Sequence, residues 1–356
     1  MIRPLRFGMV AAGFAVLATP IGVAMFAEAA RSRTLDLLTQ ARRADETVDY
    51  QGRRVVSIRE GDGMATTWLD FHVVRPGYRV TPVRHVGPDG KETTPGSRSR
   101  GMQGFGYLMG AIDGSRTRVG GRFRNPSLIL ENYRLVSKGT LATAGRSAEQ
   151  FELIPHRAGR SRYRFALDGV TRLMLAFEAV APDGRVAYES KFESIRFDPD
   201  PMADPRRSSR SDKFPRSHDS VPVTQENLRA LDDDFAVWRP AWLPSGFVEN
   251  SSRLIHIEGF GDSLVASYSD GMTWLFVAQV QASNAAWNLF RSGYLGLGQP
   301  PPENTAQRIL HPGGAMVSVC LEGTEVLIAG QTDPAELEKI AQYLTRISAT
   351  PDRRTP

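Results

Sequence analysis

Cysteine is almost absent. Cys320 is the only one in 356 residues, so no intramolecular disulfide can form and zinc sites built on cysteine pairs are excluded. Stability therefore rests on apolar cores, and 41% hydrophobic residues in a chain of this length is enough for two of them. Cys320 sits in Met316-Val317-Ser318-Val319-Cys320-Leu321, which reads as a strand carrying a buried, inert thiol. Histidine is scarce as well. The six present, His72, His85, His156, His218, His256 and His311, form no H-x-x-x-H or H-E-x-x-H pair. The G-x-S-x-G nucleophile elbow and the Walker phosphate loop are missing too. Gly293-Tyr294-Leu295-Gly296-Leu297-Gly298 is glycine-rich but precedes three prolines and reads as an ordinary loop. Asp232-Asp233-Asp234 reads as a solvated linker edge. No catalytic residue, metal set or cofactor is expected.

Charge is present but unevenly shared. Residues 31–197 hold 28 Lys/Arg against 18 Asp/Glu, whereas residues 223–356 hold 9 against 15. A basic half is followed by an acidic one. The basic half fits an anionic partner such as a phosphorylated lipid, a membrane, a nucleic acid or an acidic protein, or else the two halves attract each other.

Arg3 and Arg6 precede an uncharged apolar run from Phe7 to Ala27, followed by Ala27-Glu28-Ala29. That is an export signal with an A-x-A cleavage pattern, or an uncleaved anchor, since the run is long enough to span a bilayer. Residues 1–29 form this segment and the remainder is delivered across a membrane. Leu35, Leu38 and Ala41 then recur at helical spacing, predicting a helix over about 33–45. From Tyr50 the period changes to two. Thr67, Leu69, Phe71 and Val73 alternate with Trp68, Asp70, His72 and Val74, and Tyr163, Phe165 and Leu167 alternate likewise. Asp183-Gly184 marks a hairpin between two β-rich runs. The expected class is α+β: a large curved antiparallel sheet with covering helices over residues 30–197, plus a smaller α/β unit.

Residues 198–222 are dominated by Pro, Ser and charge and read as a flexible linker. Residues 223–350 form the second unit, with strands expected at 247–257, 262–269, 272–281, 315–321 and 324–330. It closes in a helix capped by Asp333, with Pro334 in the first turn, Glu336 at the capping-box position and a stripe of Leu337, Ile340, Ala341 and Leu344.

Several stretches, in order, resemble the RseB/MucB family of periplasmic regulators of extracytoplasmic sigma factors. In the first unit these are Leu130-Glu131-Asn132-Tyr133-Arg134-Leu135-Val136, Gly145-Arg146, Phe151–Pro155, Arg162–Asp168, Leu173–Leu175 and Asp183–Glu189 with Phe192. In the second they are Trp242-Leu243-Pro244-Ser245-Gly246-Phe247, Tyr268-Ser269-Asp270-Gly271-Met272, Gly314–Val319, Val326–Gly330 and the closing helix. The resemblance implies a first domain similar to lipoprotein carriers of the LolA type, a half-barrel over an apolar cavity, followed by an α/β domain. It implies a periplasmic, non-enzymatic protein that binds the periplasmic part of a transmembrane anti-sigma factor, with lipopolysaccharide or an acylated lipoprotein as a further ligand and no nucleic acid. A lipoprotein or lipid carrier is the alternative that uses the same cavity. Phe71, Val73, Tyr163, Phe165, Leu167, Leu175 and Phe177 are the candidates to line it, although each also fits plain core packing. Arg53, Arg54, Arg59, Arg116, Arg118, Arg122 and Arg124 are the candidates to meet an anionic partner, with solvation the alternative for each.

Overall fold

The computed structural model describes residues 20–74, 77–93, 123, 125–199, 217–232, 235–257, 261–292, 298–311, 314–330, 332 and 334–347. A long helix α1 (Pro20–Thr47) contains the helix expected at 33–45 and starts well before it. Residues 1–19 of the expected export segment lie outside the described residues, and no helix among the described residues is long and apolar enough to cross a membrane.

The first sheet has nine strands. β1 (Tyr50–Glu60), β2 (Gly63–Val74), β3 (Gly77–Val86) and β4 (Glu92–Thr93) precede a short helix α2 (Pro126–Asn132). Then come β5 (Tyr133–Thr143), β6 (Arg146–Pro155), β7 (Arg162–Asp168), β8 (Met174–Val180) and β9 (Val186–Arg196). The order is β4-β3-β2-β1-β9-β8-β7-β6-β5, so two meanders join where β9 pairs antiparallel with β1. Register shifts at Arg53/Arg54, Trp68/Leu69, Ser137/Gly139, Ala166/Leu167 and Ala179/Val180 bend the strands, as bulges do. The hairpin at Asp183-Gly184 is present, with Gly184 at φ +84° and the Arg185 N–H donating to the Asp183 carboxylate. The helices cover the apolar face: Leu38 and Ala41 of α1 and Ile129 of α2 lie in one core with Leu153, Phe165 and Phe177. The α2 start is explained by Asn125, whose side-chain oxygen accepts from the Leu128 N–H, with Pro126 in the first turn.

The second sheet contains β10 (Ser217–Pro222), β12 (Val248–Ile257), β13 (Gly261–Ser269), β14 (Trp274–Gln281), β15 (Ala306–His311), β16 (Gly314–Leu321) and β17 (Thr324–Gly330), in the order β10-β12-β13-β14-β17-β16-β15. β10 is a correction: five of its six residues, inside the segment expected as linker, pair with β12. Helices α3 (Gln225–Asp232) and α4 (Ala285–Phe290) and a β11 (Trp238–Pro240)–β18 (Leu344–Arg346) ribbon were not anticipated. The closing helix α5 (Pro334–Gln342) buries Leu337, Ile340 and Ala341 against the sheet, and Glu336 meets the Thr332 hydroxyl. Leu344 is not on that helix. It lies in β18 and packs on the same core. The expected cap Asp333 lies outside the described residues.

Candidate functional site

The seven apolar candidates all turn to the covered face of the first sheet, and none is more than 4% exposed. They fall into two clusters. Tyr163, Phe165, Leu167 and Phe177 pack with Leu38, Phe123 and Ile129. Phe71, Val73 and Leu175 pack with Ala44, Tyr50, Leu69 and Phe192. Phe165 lies edge-on to Phe123 at 5.0 Å and stacks on Phe151 at 5.5 Å, while Tyr163 stacks on Phe177 at 5.7 Å. In this arrangement they are close-packed core, and a chain-like ligand reaches that face only by displacing side chains.

The arginine candidates do not form one patch. Arg53 lies on the opposite, polar face, paired with Asp70 through two bonds of 2.7 and 3.1 Å, in a groove of about 640 Å³ shared with Arg79, Glu193 and Arg196. Arg59 donates to the Val186 carbonyl at 2.7 Å. Arg116, Arg118, Arg122 and Arg124 lie outside the described residues. Arg54 is the exception. It stands on the apolar face, because its register partners are Leu69 and Phe192. Its guanidinium lies 4.3 Å from the Phe192 ring centre and 5.2 Å from that of Phe71, and it donates to the Met174 carbonyl at 3.3 Å. Its Nε is buried without a partner. A cation lying against two rings with one donor left over has the chemistry to hold an anionic group among apolar side chains.

Much of the remaining charge is consumed locally. On the polar face Glu152, Arg164 and Glu178 stand opposite one another across β6, β7 and β8, and Lys138 also reaches Glu152, at 2.8 Å. The Lys138 bond, outweighing burial, holds the Glu152 carboxyl below its ordinary range.

In the second sheet a charge pair is wholly buried. Arg291 Nε donates to Glu325 Oε1 at 2.7 Å and both side chains are 0% exposed. Ser318 Oγ and Trp287 Nε1 also donate to this carboxylate, at 2.6 and 2.7 Å. Every strong acceptor position is filled by protein, which makes this a staple for α4, not a reactive site. Burial, with the Glu325 charge behind it, pushes the Cys320 thiol up to about 11, so the buried thiol is protonated and inert at neutral pH. Among the described residues no group of three or more His, Cys, Asp or Glu is placed to hold a metal ion.

Residues 109–217 match the family model of the MucB/RseB N-terminal domain. Among solved structures, the crystal structure of MucB in complex with MucA(peri) shares 18% identity with this chain, covering 89% of it and 99% of the other, at a TM-score of 0.51. The Pseudomonas aeruginosa MucA/MucB complex gives 17% identity, the same 89% and 99% coverage and a TM-score of 0.52. At these identities the likeness establishes the fold, and it extends over both sheets. A LolA superfamily protein from Nitrosomonas europaea matches over 47% of this chain and 94% of that one, with 8% identity and a TM-score of 0.20. No curated protein matches the chain.

Proposed function

We propose that the chain is a member of the MucB/RseB family, which the match of residues 109–217 to that family's N-terminal domain supports, and that it binds the periplasmic part of a transmembrane anti-sigma factor and so restrains an extracytoplasmic sigma factor. It acts by binding, after export to the periplasm, and not by catalysis. The family match over residues 109–217 carries this reading, and the likeness to MucB over both sheets supports it. A lipid-sensing role has its own support in Arg54: a stacked guanidinium with a spare donor beside Phe71 suits an amphiphile with a phosphate and an acyl chain. Each methylene buried adds roughly 0.8 kcal/mol, offset by the side chains it displaces. Release of the partner requires that the amphiphile prefer the partner-free state.

The test uses the chain without residues 1–29 and the periplasmic segment of a single-span anti-sigma factor encoded beside an extracytoplasmic sigma factor in the same genome. Calorimetric titration should give micromolar or tighter binding. A phosphate-bearing acyl amphiphile should weaken it, and Arg54→Met should blunt that effect while leaving partner binding intact. If no such segment binds, and pull-downs from envelope extract return acylated lipoproteins instead, the carrier reading replaces this one.

A further inference from the structure

The two sheets meet at one built joint. The turn between β13 and β14 is shaped by Asp270, whose Oδ1 accepts from the Met272 and Thr273 N–H groups at 3.0 and 2.7 Å and from the Thr273 hydroxyl at 3.0 Å. Its other oxygen leaves the second sheet's own structure. It accepts from the Tyr133 hydroxyl at 2.5 Å and from the Arg160 guanidinium, both supplied by the first domain. The Asn132 amide nitrogen, at the end of α2, lies 3.1 Å from the carbonyls of both Asp270 and Gly246. Arg160 also stacks over Phe247 at 4.7 Å. Gly271 sits at φ +97°, and a Cβ there would lie 2.7 Å from the Ile129 backbone nitrogen, so only glycine lets the turn approach α2 this closely. Asp270 is 1% exposed. Burial works against the Arg160 charge, yet Asp270 and the neighbouring tyrosines hold its pKa above the ordinary value.

The next residue of the turn crosses the boundary. Met272 is 2% exposed and belongs to the first domain's core, with Leu38, Ile129, Phe165, Leu167 and Phe177. Tyr133, which grips Asp270, lies edge-on to Tyr163 at 5.5 Å, and Tyr163 stacks on Phe177. One of the two inner-face clusters therefore runs unbroken into the turn. The other, holding Phe71, Val73 and Leu175, does not contain Met272.

We propose that the Asp270 turn is a latch: it holds the second domain against α2 and makes that domain's position depend on the packing of one cluster of the first domain's inner face and not the other. Whatever loosens the Phe165–Leu167–Phe177 cluster moves Met272 and weakens the grip, and by reciprocity an undocked second domain loosens that cluster. The device does not depend on which partner binds.

Amide hydrogen exchange on the full chain tests it. Asp270→Asn puts an amide donor against Tyr133 and Arg160 and leaves a buried guanidinium unpaired. Exchange at residues 129–133 and 269–274 should accelerate about 100-fold, while central amides of β16 and β17 change less than about 3-fold. Should that variant fail to fold, Tyr133→Phe removes a single hydroxyl and should give about 5-fold at the same amides. Leu167→Ala and Leu175→Ala delete the same atoms from sites that are both 0% exposed, one in each cluster. Leu167→Ala should accelerate the turn about 10-fold more than Leu175→Ala does. Unchanged turn amides in both Asp270→Asn and Tyr133→Phe would overturn the latch, and equal effects of the two leucine variants would overturn the coupling.

Discussion

Glu325→Gln is a sharp probe of the second domain, because it changes one charge and almost no volume. The carboxylate accepts from Arg291, Ser318 and Trp287, each within 2.6 to 2.7 Å. A glutamine must turn its amide group toward at least one of those donors, so a donor faces a donor, and Arg291 keeps its charge with no carboxylate at 0% exposure. Arg291 retains the Gly298 carbonyl at 2.5 Å and Gln307 at 3.2 Å, which soften the loss without neutralising the charge. Breaking a buried pair this way costs about 3–5 kcal/mol. For a cooperative unit of roughly 130 residues, with an unfolding entropy of ~2.1 cal/mol/K per residue, that lowers Tm by about 11–18 °C. Circular dichroism melts measure it, and Trp287 fluorescence reports the same site. The double variant Arg291→Met with Glu325→Leu removes both charges and should recover to within about 2 kcal/mol of the parent chain. A Glu325→Gln chain that melts within about 4 °C of the parent would show that the pair is not desolvated, and the reasoning fails.

Phe165→Asp should unfold the first domain at a lower urea concentration than the parent chain, since it buries a carboxylate between Phe123 and Phe151. Acid should destabilise the first domain: Lys138 holds the folded Glu152 carboxyl below its ordinary 4.5, so this contribution is complete above pH 4.5 and is lost as pH falls through the lower folded value. Glu152→Gln should flatten that part of a stability–pH curve, and a curve of unchanged slope refutes the assignment. Trypsin cutting between Arg206 and Lys213 should give two fragments that still co-elute on gel filtration because of the joint, and that separate when Asp270 is replaced by Asn.

The alternating runs were legible because a sheet with one covered face imposes period two, and the Asp183-Gly184 hairpin because only a few residues fit such a turn. What escaped has physical reasons. β10 reads Ser-His-Asp-Ser-Val-Pro, with no apolar alternation; it is a strand because β12 offers an edge, and composition cannot show that. In sequence the seven candidate arginines look alike, because Arg is a surface residue on average. Yet Arg54 falls in phase with Leu69, Phe71 and Phe192 once the β1–β2 and β1–β9 registers are known. Arg160 and Arg291 carry no local mark of burial, since the carboxylates that hold them lie 110 and 34 residues away.

Three of the stretches that carried the family resemblance, Leu130–Val136, Trp242–Phe247 and Tyr268–Met272, proved to meet at one place. They supply Asn132 and Tyr133, Gly246 and Phe247, and Asp270 to Met272 of the joint. A motif scattered over 140 residues of sequence becomes a single contact because each part is needed by the other two: the turn needs glycine at 271, the glycine is useful only beside Ile129, and Ile129 is set by the Asn125 cap. The charge asymmetry between the halves also acquires a definite scale. Across the joint Arg160 and Asp270 form a salt bridge, and residues 31–197 as a whole carry an excess of ten positive charges. One such pair neutralises a single positive charge of the first half. A net positive first half would draw an acidic partner by long-range attraction, which accelerates encounter more than it tightens the final complex.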